Sequence, residues 1–312
     1  MTFVPMCDII KKMQEKAGVV MATRRNVAAQ QEKVQKGRNR SVYKQDGMIQ
    51  KSRIPLSLRE QKCVLYAISK ISPNDQEFGT YTFDLKEFYA LCGLNGESYT
   101  DLKAVLKKLA DKSWWGEDPN NPDQERLYRW FNDIVPNKKD GTLTIEFHKN
   151  MIPFLLQVAG NNTFYTSYNL KYVLPMKSQY APRLYKILKS YQKNNVRWYF
   201  EIDELKKHLD CQGYKNFKDF RRRVLEPSVE EINKYTDINI AYKTELTGNK
   251  VTRIVFGMIS KTKSELLEAE KNGAKELDGQ VNLFELLDDV REDPLNKLFG
   301  DHVAKVRTES GQ

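Results

Sequence analysis

The chain has 312 residues, 40% hydrophobic and 11% aromatic, which suits two packed domains with tails and excludes a disordered polymer. Its formal charge of +10 favours a polyanionic partner, and the surplus lies in the body, because residues 263–312 carry 7 basic and 12 acidic side chains and so hold a net −5 against +15 before them. Cys7, Cys63, Cys92 and Cys211 lack zinc-ligand spacing and suggest no disulfide framework, Asp8, Lys11, Lys12, Glu15 and Lys16 break any signal-peptide core, and no apolar run is long enough for a membrane span, so a cytoplasmic protein without membrane contact is expected.

Residues 1–40 are polar and of mixed charge, and read as a flexible basic arm, with order expected from Ser41-Val42-Tyr43. Ser57 with Glu60 three positions on is a capping-box pattern, so a helix starts there. It carries Leu58, Leu65, Ile68 and Ile71 along one stripe and stops at Ser72-Pro73. Residues 81–83 read as a strand and 85–91 as a short helix ended by Gly93. A longer helix over 98–111 puts Leu102, Val105, Leu106 and Leu109 on one face. Residues 126–135 and 143–148 read as hairpin strands, with Asp140-Gly141 at the turn. Helix, strand, helix, helix, hairpin is the order of a winged helix.

The same order recurs. Residues 179–192 read as a helix with Leu184, Ile187, Leu188 and Tyr191 inward, 197–201 as a strand, 202–209 as a short helix and 216–235 as a long helix kinked at Pro227. Residues 237–246 and 251–260 form a second hairpin turning at Thr247-Gly248-Asn249-Lys250. Leu65-Tyr66-Ala67-Ile68 aligns with Leu184-Tyr185-Lys186-Ile187 at an offset of 119, Phe83-Asp84-Leu85 with Phe200-Glu201-Ile202 at 117, and Tyr99, Leu102 and Leu106 with Phe217, Phe220 and Val224 at 118. Three blocks in fixed order at near-constant offset indicate an internal duplication. The expected fold class is α+β. Two tandem winged-helix domains, 41–160 and 161–262, lie between the flexible N-terminal arm (1–40) and an acidic C-terminal tail (263–312).

In such a unit the second helix of the helix-turn-helix enters the major groove, apolar inside and rich in donors outside. In the second domain Phe217, Phe220, Val224 and Leu225 supply the inner stripe, surrounded by Lys215, Asn216, Lys218, Asp219, Arg221, Arg222 and Arg223. An arginine fork can grip guanine, and Asn216 could do the same for adenine. Three consecutive arginines cannot share one direction, so one or two are expected at bases and the rest at phosphates. The first domain offers Thr100, Lys103, Lys107 and Lys108, point charges suited to the DNA backbone. The wings add Lys138 and Lys139, and Lys243 and Lys250. Trp114, Trp115 and Trp130 could stack on bases, but core packing is the better expectation at their positions.

The block from Ile54 to Lys62 (Ile-Pro-Leu-Ser-Leu-Arg-Glu-Gln-Lys) resembles the opening helix of the iteron-binding plasmid replication initiators of the RepB type. Residues 217–227, with Glu231-Ile232-Asn233 and Thr236-Asp237-Ile238 after them, resemble that family's second recognition helix. The resemblance spans about residues 40–262. It implies tandem winged helices that bind double-stranded DNA, both origin iterons and an operator inverted repeat. It also implies a homodimer joined through the first domain that represses its own gene, and recruitment of a host initiator and the replicative helicase. Independently, Gln280-Val281-Asn282-Leu283-Phe284 resembles the short motif by which bacterial proteins dock on the sliding clamp, with Gln280 to hydrogen-bond and Leu283 and Phe284 to fill an apolar pocket.

An enzyme is not expected. His148, His208 and His302 are far apart, with no paired histidines for a metal-assisted nicking tyrosine, and no glycine loop with lysine for a nucleotide phosphate. Neither a cofactor nor a metal is expected. A winged-helix transcriptional repressor without an initiation role is the competing reading.

Overall fold

The computed structural model describes Ala29 and residues 32–51, 55–72, 75–92, 99–118, 121–156, 164–192 and 196–280. Strand β1 (Ser41–Gln45) is followed directly by helix α1 (Asp46–Lys51). Helix α2 (Leu58–Ile68) begins at the expected capping box, where the Ser57 N–H donates to Glu60 Oε2 at 2.7 Å and Ser57 Oγ accepts from the Glu60 N–H. Cys63, Val64, Leu65, Tyr66, Ala67 and Ile68 are all buried, so this helix forms the spine of the first half.

Then come β2 (Thr80–Asp84), α3 (Leu85–Cys92) and α4 (Tyr99–Ala110), the last presenting Leu102, Leu106 and Leu109 inward. Next are β3 (Ser113–Asp118), β4 (Asn121–Arg129), β5 (Phe131–Asn137) and β6 (Thr142–Phe147). The expected wing strand over 126–135 is in fact two strands. Residues 121–129 fold back on β3 as a separate hairpin, and the wing is β5 with β6. The break falls at Trp130, which is pulled into the core against Trp114 at a ring distance of 5.1 Å. Trp114 also stacks on Tyr128. Trp115 points the other way along the strand and is 65% exposed, so core packing holds for two of the three tryptophans.

After α5 (Ile152–Leu155), strand β7 (Tyr165–Asn169) lies beyond the expected boundary at 160/161, yet pairs antiparallel with β1, Val42 opposite Tyr168. This two-stranded ribbon joins the halves. The second half continues with α6 (Ala181–Gln192), β8 (Arg197–Glu201), α7 (Ile202–His208), α8 (Phe217–Phe220), α9 (Glu226–Tyr235), β9 (Ile238–Thr247) and β10 (Lys250–Ser260). The duplication reads out in topology: β2-β6-β5 and β8-β10-β9 have the same strand order, with the last strand of each hairpin in the middle. Strands β2 and β8 even share one alternation, with only Phe83 and Phe200 buried.

One expectation about the ends is corrected. Residues 32–38, assigned to a flexible arm, are helical, with Val34 and Arg38 buried. Gly37 lets this helix approach α3 so closely that a Cβ there would lie 2.6 Å from Leu91 Cδ1. The acidic tail starts as an 18-residue helix, α10 (Lys263–Gln280), docked on the second half. Ala269 and Leu277 are buried, Lys171 and Lys177 pair with Glu270 and Glu276 at 2.8 and 2.6 Å, and Tyr235 donates to Glu276. Here acidic residues meet cations of the body instead of solvent alone. Among the described residues no helix is long and apolar enough to cross a membrane.

Candidate nucleic-acid interface

The second-half helix runs from Phe217 to Tyr235 without interruption, but its middle turn, Arg221–Leu225, is a π-turn. The expected kink at Pro227 takes this form. Proline has no N–H to give to the carbonyl four residues back, and its ring crowds that carbonyl, so the helix widens by one residue ahead of it. Phe220, Val224 and Leu225 are fully buried and clamp the helix to the domain, while Lys206 lies 5.6 Å over the Phe220 ring. Burying each such apolar side chain contributes about 1.5–3 kcal/mol. The widened turn leaves Arg221, Arg222 and Arg223 all exposed, with Lys215 and Lys218 exposed one turn earlier.

The three arginines differ in their neighbours. Arg221 Nε pairs with Glu226 Oε1 at 3.2 Å, and Arg222 Nη2 lies 3.5 Å from Asp219 Oδ1. Arg223 has no ion pair or hydrogen bond among the described residues. Exposed pairs of this kind hold by no more than about 1 kcal/mol, so a phosphate can take over either guanidinium. Asn216 has a structural role that the sequence reading did not give it. It is the N-cap, its Oδ1 accepting the Asp219 N–H at 2.8 Å and its Nδ2 donating to Asp219 Oδ2 at 2.6 Å. One Nδ2 hydrogen and Oδ1 are thus engaged in the helix cap. Asp219, grouped with the DNA contacts, also holds the cap and lies beside Arg222.

The second wing turns tightly at Gly248-Asn249, between Thr247 and Lys250, with Gly248 at φ +61° as the turn requires. Lys243 and Lys250 are exposed along it. Tyr242 of β9 feels the charges of Glu226 and Arg221, which sets the wing beside the arginine turn; burial raises its phenol.

In the first half Thr100, Lys103, Lys107 and Lys108 are exposed on α4, opposite its buried leucines. Lys107 is tied to Asp111 at 2.6 Å. Lys138 and Lys139 lie at the exposed tip of the first wing, with Lys138 5.9 Å over the Tyr99 ring, and the Tyr99 hydroxyl donating to Pro136 O at 3.0 Å. Each half therefore brings its helix and wing together, and the second carries the arginine forks. Leu283 and Phe284 of the clamp-like motif lie outside the described residues, while Gln280 is the last residue of α10.

Two features carry no signal in the sequence. Arg253 stacks 4.5 Å over the exposed Tyr199 ring, held by Glu201 and Glu245. Lys44, Lys112, Arg183 and Lys186, scattered along the chain, line one cavity. Among the described residues no three His, Cys, Asp or Glu side chains gather as a metal site.

Comparison with known proteins gives concordant matches. The family described as Initiator Replication protein, WH1 matches residues 41–189, and that described as Initiator Rep protein, WH2 matches residues 201–258. The PI protein of Escherichia coli is 29% identical over 212 residues, covering 62% of this chain and 67% of that protein. The crystal structure of Pi initiator protein in complex with iteron DNA superposes with a TM-score of 0.59 at 19% identity, over 72% of this chain and 99% of that one.

Proposed function

Because the chain belongs to the initiator Rep proteins with paired WH1 and WH2 domains, we propose that it starts plasmid replication by binding repeated iteron sites in double-stranded DNA, as the Pi initiator does in its complex. The observation that carries the DNA reading is the turn Arg221–Leu225, which presents three arginine forks from a helix anchored by Phe220, Val224 and Leu225. The second half is then the sequence reader, with one or two of Arg221, Arg222 and Arg223 at base edges and Lys215, Lys218, Lys243 and Lys250 at phosphates. The first half adds backbone contacts through Thr100, Lys103, Lys107, Lys138 and Lys139.

The same reading makes the protein a non-enzymatic, cytoplasmic DNA-binding factor. Its partners are DNA, a second copy that represses the gene at an operator inverted repeat, and the host initiator, helicase and sliding clamp. The clamp contact falls to Gln280, Leu283 and Phe284. Footprinting on the DNA flanking the gene tests the proposal. Regularly spaced protected repeats that resist salt better than random DNA are expected; equal loss on both DNAs as salt rises would remove the specificity. Incubation with supercoiled origin plasmid and Mg²⁺ checks the non-enzyme reading, which nicking would overturn.

A further inference from the structure

A cavity of about 280 Å³ opens between the two halves of the chain. That is near the lower end of small-molecule pockets, about 300–1,000 Å³. Its cations come from three elements. Lys44 projects from β1, Arg183 and Lys186 lie one turn apart on α6, and Lys112 enters after α4. Lys112 pairs with Glu60 at 2.7 Å, and Arg183 donates from Nε to His208 O at 3.2 Å. Asp210 is the one acidic side chain in the lining, and it is exposed.

Lys44 and Lys186 are each only 6% exposed. The nearest partner of Lys186 is a neutral amide oxygen, Gln61 Oε1 at 3.5 Å, and Lys44 faces the Trp130 ring at 5.0 Å. Trp130, also in the lining, has a buried indole N–H with no acceptor among the described residues. Buried charges are ordinarily paired, and buried donors ordinarily bonded. Here two buried lysines line open space with no carboxylate bonded to either among the described residues. Desolvation and mutual repulsion pull Lys44 down to about 7 and Lys186 well below its ordinary value, and burial pulls Arg183 down to about 10. An anion in the cavity would reverse each of these effects.

We propose that this cavity binds a phosphate-bearing small molecule of mononucleotide size, with Lys44 and Lys186 on the phosphate and Trp130 and Tyr180 beside the remainder. A duplex backbone does not fit, because the two lysines are buried. The site draws on both halves of the chain, so its occupant ties them together. This inference is independent of the DNA reading.

Titrating the full chain with inorganic phosphate and with adenosine monophosphate, at constant ionic strength against chloride, tests it. Saturable 1:1 binding is expected, tighter for the nucleotide if the apolar lining contributes and equal for the two if only the phosphate is read. Lys44→Met and Lys186→Met should weaken it at least tenfold, while Lys186→Arg retains it. Removing a buried charge should also raise the melting temperature of the free protein, so the Met variants are expected to fold and to lose the ligand-induced rise seen in the wild type. No saturable binding above chloride, or the same response in wild type and both folded Met variants, overturns the proposal. Should either Met variant not fold, wild-type hydrogen exchange decides: phosphate must slow exchange in both β1 and α6, and no slowing there also overturns it.

Discussion

Asn216 separates a helix cap from a base reader, and the two roles respond differently to substitution. Asn216→Ala removes the bond from the Asp219 N–H and the amide contact to the Asp219 carboxylate, 2.8 and 2.6 Å long. Loss of an N-cap costs about 1 kcal/mol, within a range of about 0.5–2. For a protein of this size that lowers the melting temperature by about 2–4 °C. Asn216→Ser keeps a cap oxygen but has no amide to read adenine. The cap role therefore requires the serine variant to recover most of the melting temperature and to bind the specific site within about threefold of wild type. Thermal unfolding and a binding titration on specific and random duplexes give both quantities. A base-reading amide would cost about 1–3 kcal/mol in either variant, roughly 5- to 150-fold. If Asn216→Ser melts like wild type yet loses specific affinity as the alanine variant does, the cap assignment is wrong.

Arg223, without a protein partner, should be the most sensitive of the three arginines: Arg223→Ala weakens specific binding by about 1–3 kcal/mol, whereas Lys215→Ala lowers affinity for all sequences alike and reduces the salt slope by about 1, both read by titration at several salt concentrations. Trp114→Ala should destabilise by about 3–5 kcal/mol through loss of its packing on Tyr128 and Trp130, while Trp115→Ser, at an exposed position, leaves the urea midpoint nearly unchanged. Burial alone would raise the Glu60 carboxyl, but its bonds to Lys112 and Ser57 hold it below its ordinary value of 4.5. The folded pKa is thus depressed, so its stabilisation is complete above the ordinary value and is lost as pH falls through the folded one. Wild type should therefore lose its urea midpoint more steeply on acidification than Glu60→Gln, and parallel curves would refute the coupling. Gly273→Ala should stabilise α10 by about 1 kcal/mol in a melt, because a Cβ there meets Pro175 Cγ at 3.4 Å and Lys171 O at 3.5 Å, ordinary to slightly tight contacts.

Much of the architecture was written in local pattern. The capping box at Ser57, the apolar stripes of α2, α4 and α6, and the turn at Gly248 are short-range features, and each element formed within a few residues of its expected place. Repetition of the pattern at an offset near 118 marks the duplication in the sequence itself, because equivalent cores need apolar residues at equivalent positions. The arginine turn was legible for the same reason: its charges surround an apolar stripe that the sequence shows directly.

Other features were decided only by contacts between distant parts of the chain. Nothing near Arg126 or Trp130 says that the strand must break, since the break comes from Trp114 drawing Trp130 inward. Asn216 reads in the sequence as a base contact alone, and its bonds to Asp219 appear only in the fold. The tail helix is polar by composition and stays on the body because Lys171 and Lys177 lie opposite its acids. The cation-lined cavity joins residues 44, 112, 183 and 186 only once β1 has paired with β7 and set α6 beside it. The sequence by itself determined the two winged helices and their recognition faces, because periodicity and charge are local. Tertiary structure decided which polar groups are already engaged and which are left facing empty space, because that depends on what long-range packing brings within reach of each.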